Sequence, residues 1–274
     1  MSKQPFRVHL RHFYRMLLSR ANHRGRPDDL RRPAIVFSPH FDDETLACGG
    51  TIIKKKKAGA QVSIVFMTDG SSSHANLIPP GELSAIRISE AFAAAHLLGL
   101  DDGDLHLLKL KERKLSRHID DAVDMAAELL LRLKPAEVFV PHLRDVHPDH
   151  VATNKIVVLA LAKCGLGAIV NEYPVWLWNH WPWVRVPREG VRQTIFMLRR
   201  SLRSGFGLRL FKDFRHSVVI SDVLDAKRAA LAAYKSQMTR LKFGERWPIL
   251  HDVSDGEFLE CFFQNHEIFR QHGL

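Results

Sequence analysis

Short apolar runs alternate with amphipathic stretches along most of this chain. The runs predict buried strands, at residues 34–37, 62–67, 105–110, 138–140, 168–170 and 218–220. The stretches between them predict helices, at residues 46–58, 82–98, 119–133, 149–163 and 222–236. This alternation is typical of a doubly wound α/β fold, because each helix returns the chain to start another parallel strand. We therefore predict a Rossmann-like, largely parallel sheet with helices on both faces.

The pattern loosens between Trp176 and Arg215, where we assign no regular element. The strand at residues 168–170 could extend as far as Trp176. Four tryptophans crowd the start of this segment, at Trp176, Trp178, Trp181 and Trp183. They could form a hydrophobic wall for a sugar or lipid substrate. We favour the alternative that they pack over the hydrophobic core, because buried aromatic side chains dominate ordinary packing.

Arginines and apolar residues are interleaved near the N-terminus. Eight arginines lie between Arg7 and Arg32, and only Asp28 and Asp29 oppose them. Apolar residues recur among them at helical spacing, which predicts a basic amphipathic helix. A helix over residues 6–20 could lie on an anionic membrane, or it could dock on the domain through its apolar stripe. We treat residues 1–32 as an N-terminal arm and residues 33–274 as a single domain.

Composition narrows the class of protein. The chain has 274 residues, 46% of them hydrophobic, which is enough for one large α/β domain. No stretch approaches the ~18 apolar residues of a membrane span, and no apolar signal segment opens the chain. Cys48, Cys164 and Cys261 form neither a disulfide framework nor a thiolate metal site, which favours a cytoplasmic setting. The net charge of +10 comes with no nucleic-acid recognition module, so we expect no nucleic-acid partner.

Two polar clusters follow predicted strands. Ser38-Pro39-His40-Phe41-Asp42-Asp43-Glu44 comes directly after the run at 34–37, and Asp145-Val146-His147-Pro148-Asp149-His150 comes shortly after the run at 138–140. In open α/β sheets ligands bind at the carboxyl ends of the strands, so we expect the clusters to lie at that edge. Imidazole nitrogen with carboxylate oxygen suits zinc, and imidazole also suits iron. The clusters therefore predict a mononuclear metal hydrolase.

Spacing within the clusters indicates how they could work. His40 and Asp43 are three residues apart, so a tight turn can aim both at one ion while Asp42 acts on a water. His147 and His150 are also three apart, so one could complete the metal shell while the other faces the substrate. Three protein ligands and a water are usual at catalytic zinc, which lowers the pKa of that water to roughly 7. A carboxylate can then act as general base, and an imidazolium can stabilise the oxyanion or protonate the leaving amine.

Helix capping is the simpler explanation of both clusters, because aspartates are favoured at helix N-termini. Capping requires only one carboxylate or hydroxyl, however, and it does not require several histidines and acids at two strand ends. Buried charges this dense are costly unless a metal or substrate organises them. We therefore favour the metal site.

The first cluster also closely resembles the first motif of the PIG-L/LmbE family of zinc-dependent N-deacetylases. Later features match family landmarks in order: Leu46-Ala47-Cys48-Gly49-Gly50, Thr68-Asp69-Gly70, the helix with Arg87 and Glu90, His147-Pro148-Asp149-His150, and Lys227 with Tyr234-Lys235-Ser236-Gln237. This resemblance extends from about residue 34 to about residue 240. Phe41 replaces the usual proline of the first motif, which removes no ligand.

The resemblance implies roles for the residues of both clusters. It implies a zinc ion held by His40, Asp43 and His150, with Fe²⁺ as an alternative ion. It also implies that Asp42 is the general base on the metal-bound water.

Further roles follow from the same resemblance. His147 is implied to stabilise the oxyanion or donate the proton, with Asp149 orienting it. Arg87 resembles an arginine that contacts substrate in some relatives, although a plain helical pair with Glu90 explains it equally well. Asp69 either belongs to the site, as a substrate-binding residue, or caps a turn.

Together these observations predict a metal-dependent hydrolase that removes an acetyl group from an N-acetylated amino sugar or glycoconjugate, lipid-linked conjugates included. One alternative is an amidase that acts on a non-sugar amide or a thiol conjugate. Another is a membrane-associated accessory protein with a vestigial site, which the complete set of chemical residues argues against. A dinucleotide-dependent oxidoreductase is disfavoured because no Gly-x-Gly-x-x-Gly follows the first strand.

Overall fold

The structure is a computed structural model, which describes residues 4–21, 23–24, 27–186, 190–241 and 244–273. A single sheet forms its centre. Within these ranges the strands are β1 (His23–Arg24), β2 (Ala34–Ser38), β3 (Val62–Thr68), β4 (Leu105–Leu110), β5 (Glu137–Pro141), β6 (Ile169–Tyr173), β7 (His216–Val219) and β8 (His266–Gly273). Their order in the sheet is β1-β7-β8-β6-β5-β2-β3-β4.

Most neighbouring strands of this sheet are parallel. The pairs β2–β3, β2–β5, β3–β4, β5–β6 and β1–β7 run parallel. Only β8, among the described strands, is antiparallel to its neighbours β6 and β7. The predicted largely parallel α/β sheet is therefore confirmed.

Helices cover both faces of the sheet. The described ones are α1 (Gln4–Ala21), α2 (Asp43–Lys57), α3 (Pro80–Leu97), α4 (Ile119–Leu133), α5 (Pro148–Cys164), α6 (Val191–Arg203), α7 (Leu208–Asp213), α8 (Leu224–Ala232), α9 (Lys235–Met238) and α10 (Glu257–Glu260). One apolar core contains residues of α2, α3 and α8, and the other contains residues of α4 and α5.

Alternate side chains along each central strand point into different cores, because successive residues of a strand face opposite sides of the sheet. In β2, Ala34 and Val36 belong to the core under α2 and α3, whereas Ile35 and Phe37 belong to the core under α4 and α5. Successive strand residues point to opposite faces, so an uninterrupted apolar run is what a strand covered on both sides requires. This is why the short apolar runs in the sequence locate the central strands.

Two of the predicted elements differ from the structure. The helix predicted over 222–236 is broken into α8 and α9, because Tyr234 leaves helical geometry (φ −76°, ψ 65°). Its hydroxyl instead donates to Oε1 of Glu44 at 2.6 Å in the protein interior. The extension of a strand to Trp176 is wrong, since β6 ends at Tyr173 and Trp176 begins a short 3-10 turn.

The sequence pattern does not predict β1, β8, α6 or α7. The last two lie in the segment between Trp176 and Arg215, where apolar residues of α6 such as Val191 and Leu202 remain exposed. Such residues cannot be told from core positions by periodicity alone. The tryptophans of this segment divide: Trp178 and Trp183 are buried in the core, while Trp176 and Trp181 are only half-buried.

Helix α1 packs on the domain. Tyr14 and Leu18 are buried, and Tyr14 contacts Phe211 with ring centroids 5.2 Å apart. Arg7 and Arg11 form ion pairs with Glu257 and Glu260 of α10. Phe6 and Phe13 are 69% and 47% exposed. The side chains of Arg20, Arg24 and Arg26 lie outside the described residues, and within the described part no helix is long and apolar enough to cross a membrane.

A buried ion pair joins α8 and β8 to α2. Nζ of Lys227 lies 2.7 Å from Oε1 of Glu267, and neither residue is more than 5% exposed. The same carboxylate accepts hydrogen bonds from the amides of Gly50 and Thr51 at 2.8 and 2.7 Å.

Lys227→Met is expected to lower the free energy of unfolding by about 3 kcal/mol, because it leaves Glu267 buried without its cation. Urea denaturation followed by circular dichroism measures the loss. Lys163→Met is the matched control, because Lys163 pairs with Asp124 at the surface, where both side chains are more than half exposed. Equal shifts of the urea midpoint in both variants would contradict the expectation.

Candidate metal centre and active site

The two polar clusters meet at the carboxyl ends of β2 and β5. In the sheet, β3 and β4 continue from β2 on one side, whereas β6 follows β5 on the other. The crossover connections therefore diverge between β2 and β5, and such a switch point leaves a crevice in which ligands bind. His40 and Asp43 follow β2, and His147 and His150 lie at the start of α5.

Three ligand atoms form a nearly equilateral triangle in this crevice. Nδ1 of His40 lies 3.1 Å from Oδ2 of Asp43, which lies 3.0 Å from Nε2 of His150. The third edge, between the two imidazole nitrogens, is 3.2 Å. Bonds of about 2.0–2.1 Å to a tetrahedral zinc ion would separate such atoms by about 3.3 Å. The donor set and its spacing therefore fit a divalent ion.

Carboxylates support both imidazoles of the triangle. Oδ2 of Asp149 lies 3.3 Å from Nε2 of His40, and Oδ2 of Asp145 lies 3.4 Å from Nδ1 of His150, an electrostatic contact rather than a hydrogen bond. A carboxylate on the outer nitrogen of a metal-ligating histidine fixes its tautomer and orientation. The carboxylate of Asp149 therefore contacts His40, and it is the backbone amide of Asp149 that contacts His147. The amides of Arg113 and Leu115 donate to the Asp149 carboxylate and hold it against His40.

The charges in the triangle stabilise one another. Burial alone would lower the pKa of His150, but Asp43 and Asp145 outweigh it and raise the pKa to about 10. Burial likewise opposes protonation of His40, and hydrogen bonds to Asp149 and Asp43 raise its pKa to about 9. Burial would raise the pKa of Asp43, yet the two imidazoles hold it well below the usual range. The surroundings therefore favour positive charge beside Asp43, which a bound cation would supply.

His147 lies beside the triangle with a defined tautomer. Its Nδ1 accepts a hydrogen bond from the amide of Asp149 at 3.3 Å, so the neutral ring carries its proton on Nε2. A nitrogen of His147 also lies within 4.8 Å of nitrogens of His40 and His150, which makes it a further candidate ligand. Burial, together with the charge on His40 and His150, lowers the pKa of His147 to about 4. The ring is therefore neutral at physiological pH and presents an N–H donor.

Asp42 adopts a strained backbone conformation at the start of α2. Its φ of 120° lies in a region that residues with a side chain rarely adopt, and such strain is most often found at functional sites. The side chain is 4% exposed, and its Oδ2 accepts a hydrogen bond from Nε2 of Gln237 at 2.9 Å. Burial, followed by the adjacent charge of Asp43, raises the pKa of Asp42 well above its usual range. Both effects make this carboxylate a stronger base than a solvated aspartate.

Arg87 projects from α3 into the wall of the crevice. It is 1% exposed, and its Nη2 donates to the hydroxyl of Ser73 at 2.6 Å. Its Nε has no hydrogen-bond partner within the described chain. Within the described residues no hydrogen bond or ion pair joins Arg87 to Glu90, whose carboxylate accepts from the amide and hydroxyl of Ser236, and the two residues interact only through their charges. Arg87 is therefore a buried donor that faces the cleft.

Asp69 lies outside the cleft lining. Its Oδ1 accepts from the hydroxyl of Ser71 at 2.8 Å and from the amide of Glu112 at 3.2 Å. Its Oδ2 lies 3.2 Å from Nζ of Lys111. The residue therefore holds together the two loops that follow β3 and β4, and this position does not favour the substrate contact expected for it.

Phe41 occupies the interior behind the first cluster. It is 1% exposed, and its ring lies 4.7 Å from that of Phe66. A Cβ atom on Gly70, whose φ is +63°, would come within 2.6 Å of the Phe41 ring and 3.1 Å of Arg87. Glycine at position 70 thus makes room for phenylalanine in place of the usual proline of the first motif.

A cleft of about 370 Å³ opens onto the triangle, a volume suited to a small-molecule ligand. Its lining includes Asp42, Arg87, His147, Trp176 and Gln237. Trp176 therefore faces the cleft, in contrast to the buried Trp178 and Trp183.

Asp145 and Gln237 contact His150 and Asp42, and no local sequence pattern assigns them these roles. Asp145 lies in the second cluster, so proximity in sequence was a usable signal. Gln237 is 195 residues from Asp42 along the chain, and only its place in the C-terminal motif with Tyr234 indicated a role.

The fold and the site define a metal-dependent hydrolase, and comparison with known proteins agrees. The family model described as GlcNAc-PI de-N-acetylase, PIG-L, matches residues 35–161. The 1D-myo-inositol 2-acetamido-2-deoxy-alpha-D-glucopyranoside deacetylase of Mycobacterium sp. (strain KMS) is 26% identical over 257 residues, which cover 81% of this chain and 80% of that protein. The probable N-acetyl-alpha-D-glucosaminyl L-malate deacetylase 2 of Bacillus anthracis is 30% identical over 138 residues, covering 48% of this chain and 60% of that one.

A solved structure shares the fold over most of the chain. The N,N'-diacetylchitobiose deacetylase from Pyrococcus horikoshii superposes with a TM-score of 0.61 at 21% identity, covering 90% of this chain and 85% of that chain. Over residues 35–161 the chain therefore matches the PIG-L family, and over most of its length it is similar to a deacetylase of an N-acetylated sugar.

His150→Ala is expected to reduce the divalent metal bound by the purified protein, because it removes one vertex of the triangle. Asp145→Asn keeps all three ligands and should weaken metal affinity by about 10–100-fold. Elemental analysis and competition with a chelator measure both effects. His96→Ala, which alters a 56% exposed imidazole on α3, is the control and should retain the metal content of the unaltered protein. A full complement of metal in His150→Ala would rule out the proposed ligand set.

Proposed function

We propose that the chain is a zinc-dependent N-deacetylase that releases acetate from an N-acetylated amino sugar or glycoconjugate. The observation that carries the proposal is the triangle of His40, Asp43 and His150 beside the buried carboxylate of Asp42. The relatives described above are named as deacetylases of N-acetylated glucosamine derivatives. Nitrogen and carboxylate ligands at this spacing favour zinc, and Fe²⁺ is the alternative ion.

A divalent ion in the triangle would polarise the amide carbonyl and lower the pKa of a bound water to roughly 7. Asp42 is the general base in this proposal. Its desolvated carboxylate takes a proton from the attacking water as the C–O bond forms. Gln237 donates to Oδ2 and so holds the carboxylate in one orientation.

His147 stabilises the oxyanion in the same scheme. Because Nδ1 already accepts from the amide of Asp149, the neutral ring offers Nε2–H to the oxygen that gains negative charge. The lowered pKa of His147 favours this role over that of a proton-donating imidazolium. When the C–N bond breaks, the amine takes up the proton that Asp42 removed from the water and leaves as the free amino sugar, together with acetate.

Arg87 completes the substrate side of the cleft. Its buried guanidinium keeps an unpaired Nε–H next to the cleft, and a buried donor without a partner is costly. A hydroxyl or carbonyl oxygen of the substrate would satisfy it.

Asp42→Asn should lower acetate release by about 10²–10⁴-fold while the bound metal stays close to its normal level, because the change removes a base and not a ligand. N-acetylhexosamine glycosides are tested beside N-acetylated thiol conjugates and simple amides. Asp121→Asn, on the exposed side of α4, is the matched control.

Two results would contradict this scheme. Loss of metal together with loss of activity would make Asp42 a ligand and not a base. Preferential turnover of the non-sugar amides would transfer the assignment to the alternative amidase.

We further propose that residues 6–20 bring the enzyme to the cytoplasmic face of an anionic membrane. The exposed Phe6 and Phe13 lie seven residues apart on α1 and support this contact. Phe6→Ser combined with Phe13→Ser should reduce co-sedimentation with phosphatidylglycerol-containing vesicles, whereas Leu97→Ser, at a 51% exposed position of α3, should not. Equal sedimentation of all three proteins would remove the proposal.

A further inference from the structure

A chain of hydrogen bonds extends from Arg87, at the wall of the cleft, to the segment that follows α9. Nη2 of Arg87 donates to the hydroxyl oxygen of Ser73 at 2.6 Å. The same hydroxyl lies 2.6 Å from Nδ1 of His74, whose Nε2 lies 2.9 Å from the carbonyl oxygen of Pro248. Ser73 and Arg87 line the cleft, whereas His74 is only 1% exposed. The chain therefore connects a buried imidazole to a guanidinium that faces the cleft.

The position of each proton in this chain follows from the groups at its ends. The carbonyl of Pro248 can only accept, so Nε2 of His74 carries a proton and donates it. Burial lowers the pKa of His74, so the ring is neutral at physiological pH and Nδ1 is an acceptor. Ser73 therefore donates its hydroxyl proton to Nδ1 and turns a lone pair towards Arg87.

Packing holds the imidazole of His74 in this orientation. Its ring stacks on that of Trp247, with centroids 4.1 Å apart and an interplanar angle of 23°. Trp247 is fully buried, and its Nε1 donates to the carbonyl of Ser236 at 2.9 Å. Ile78 and Leu83 pack with Trp247 in a small apolar cluster. The acceptor at Nδ1 is therefore fixed by a packed interior and not by the loop alone.

Arg87 requires a constraint of this kind. Within the described residues no ion pair joins it to a carboxylate, and its Nε has no hydrogen-bond partner. A long side chain loses much rotamer freedom when it is held in one position, and a single bond to a freely rotating hydroxyl offsets little of that loss. A hydroxyl whose proton is already donated to His74 is a better acceptor, because successive hydrogen bonds polarise one another.

We propose that Ser73 and His74 are positioning residues, which hold the guanidinium of Arg87 in the orientation that binds an oxygen atom of the substrate. This inference rests on the proposed deacetylase function and adds two residues of the loop after β3 to it. Within the described chain no hydrogen bond or ion pair joins either residue to the metal triangle. Their effect should therefore fall on substrate binding and leave the bound metal unchanged.

Kinetics with methyl N-acetylglucosaminide test the proposal. Ser73→Ala should lower kcat/KM about tenfold, mainly through a higher KM, because it removes the acceptor that holds Arg87. Ser73→Thr keeps the hydroxyl and should retain most of the kcat/KM. His74→Phe keeps a ring against Trp247 but removes the acceptor for Ser73, so it should raise KM as well.

A double-mutant cycle separates positioning from a merely structural role. Arg87→Met removes the guanidinium, and in that background Ser73→Ala should change kcat/KM by less than about twofold, because Ser73 acts through Arg87. A loss as large in the Arg87→Met background as in the unaltered enzyme would overturn the proposal. An unchanged KM in Ser73→Ala would overturn it too.

Ser72→Ala is the matched control. It removes a hydroxyl from the same loop, at a residue that does not line the cleft and whose backbone amide, not its hydroxyl, contacts Glu112. The variant should keep both kcat and KM at the values of the unaltered enzyme.

Nuclear magnetic resonance separates this inference from the function on which it rests. Long-range proton–nitrogen correlation should show the His74 ring protonated on Nε2, and the Nδ1 shift should move in Ser73→Ala as its hydrogen bond is lost. The signal that is missing in His74→Phe identifies the ring. These shifts without acetate release from any substrate would retain the chain of hydrogen bonds and remove the deacetylase. Acetate release with the same Nδ1 shift in both proteins would do the reverse.

Discussion

Two imidazoles and a carboxylate buried around one point impose the main constraint on this structure. Such a group is stable only if its charges are paired, and removal of one member would leave the others without compensation. Here the sheet topology brings the groups together, because β2 and β5 are neighbours from which the chain departs in opposite directions. Asp145 and Asp149 then fix the outer nitrogens of His150 and His40. A divalent ion held by these three side chains would supply positive charge at the centre of this arrangement.

The α8–α9 region holds this centre in place. Three successive contacts join the α8–α9 region to α2 and α3: Tyr234 donates to Glu44, Ser236 to Glu90 and Gln237 to Asp42. The break in the helix at Tyr234 makes these contacts, since a continuous helix would direct the side chains elsewhere. The orientation of the proposed base thus depends on a segment far from it in sequence, and the strain at Asp42 is tolerated because the surrounding hydrogen bonds maintain it.

The proposed reaction centre and a second cavity beside it, which Val146 and Arg200 also line, are built from different parts of the chain. The ligand triangle and His147 lie within the segment that matches the family model. The second cavity depends on α6 and α7, which follow that segment. When the two come from different segments, the reacting centre can stay the same while the cavity beside it changes between related proteins.

Sequence alone was sufficient for the α/β fold, for the central strands and for the two clusters at their ends. These features are local: apolar periodicity reports burial on each face of the sheet, and residues three apart in a turn reach the same point. Tertiary structure alone decided that the Asp149 carboxylate contacts His40, that Asp69 joins the loops after β3 and β4, and that Gln237 donates a hydrogen bond to Asp42. It also decided that the arginines of α6 and α7 line a cavity. Those contacts join segments distant in the chain, and no local pattern encodes which side chain meets which across the packed elements.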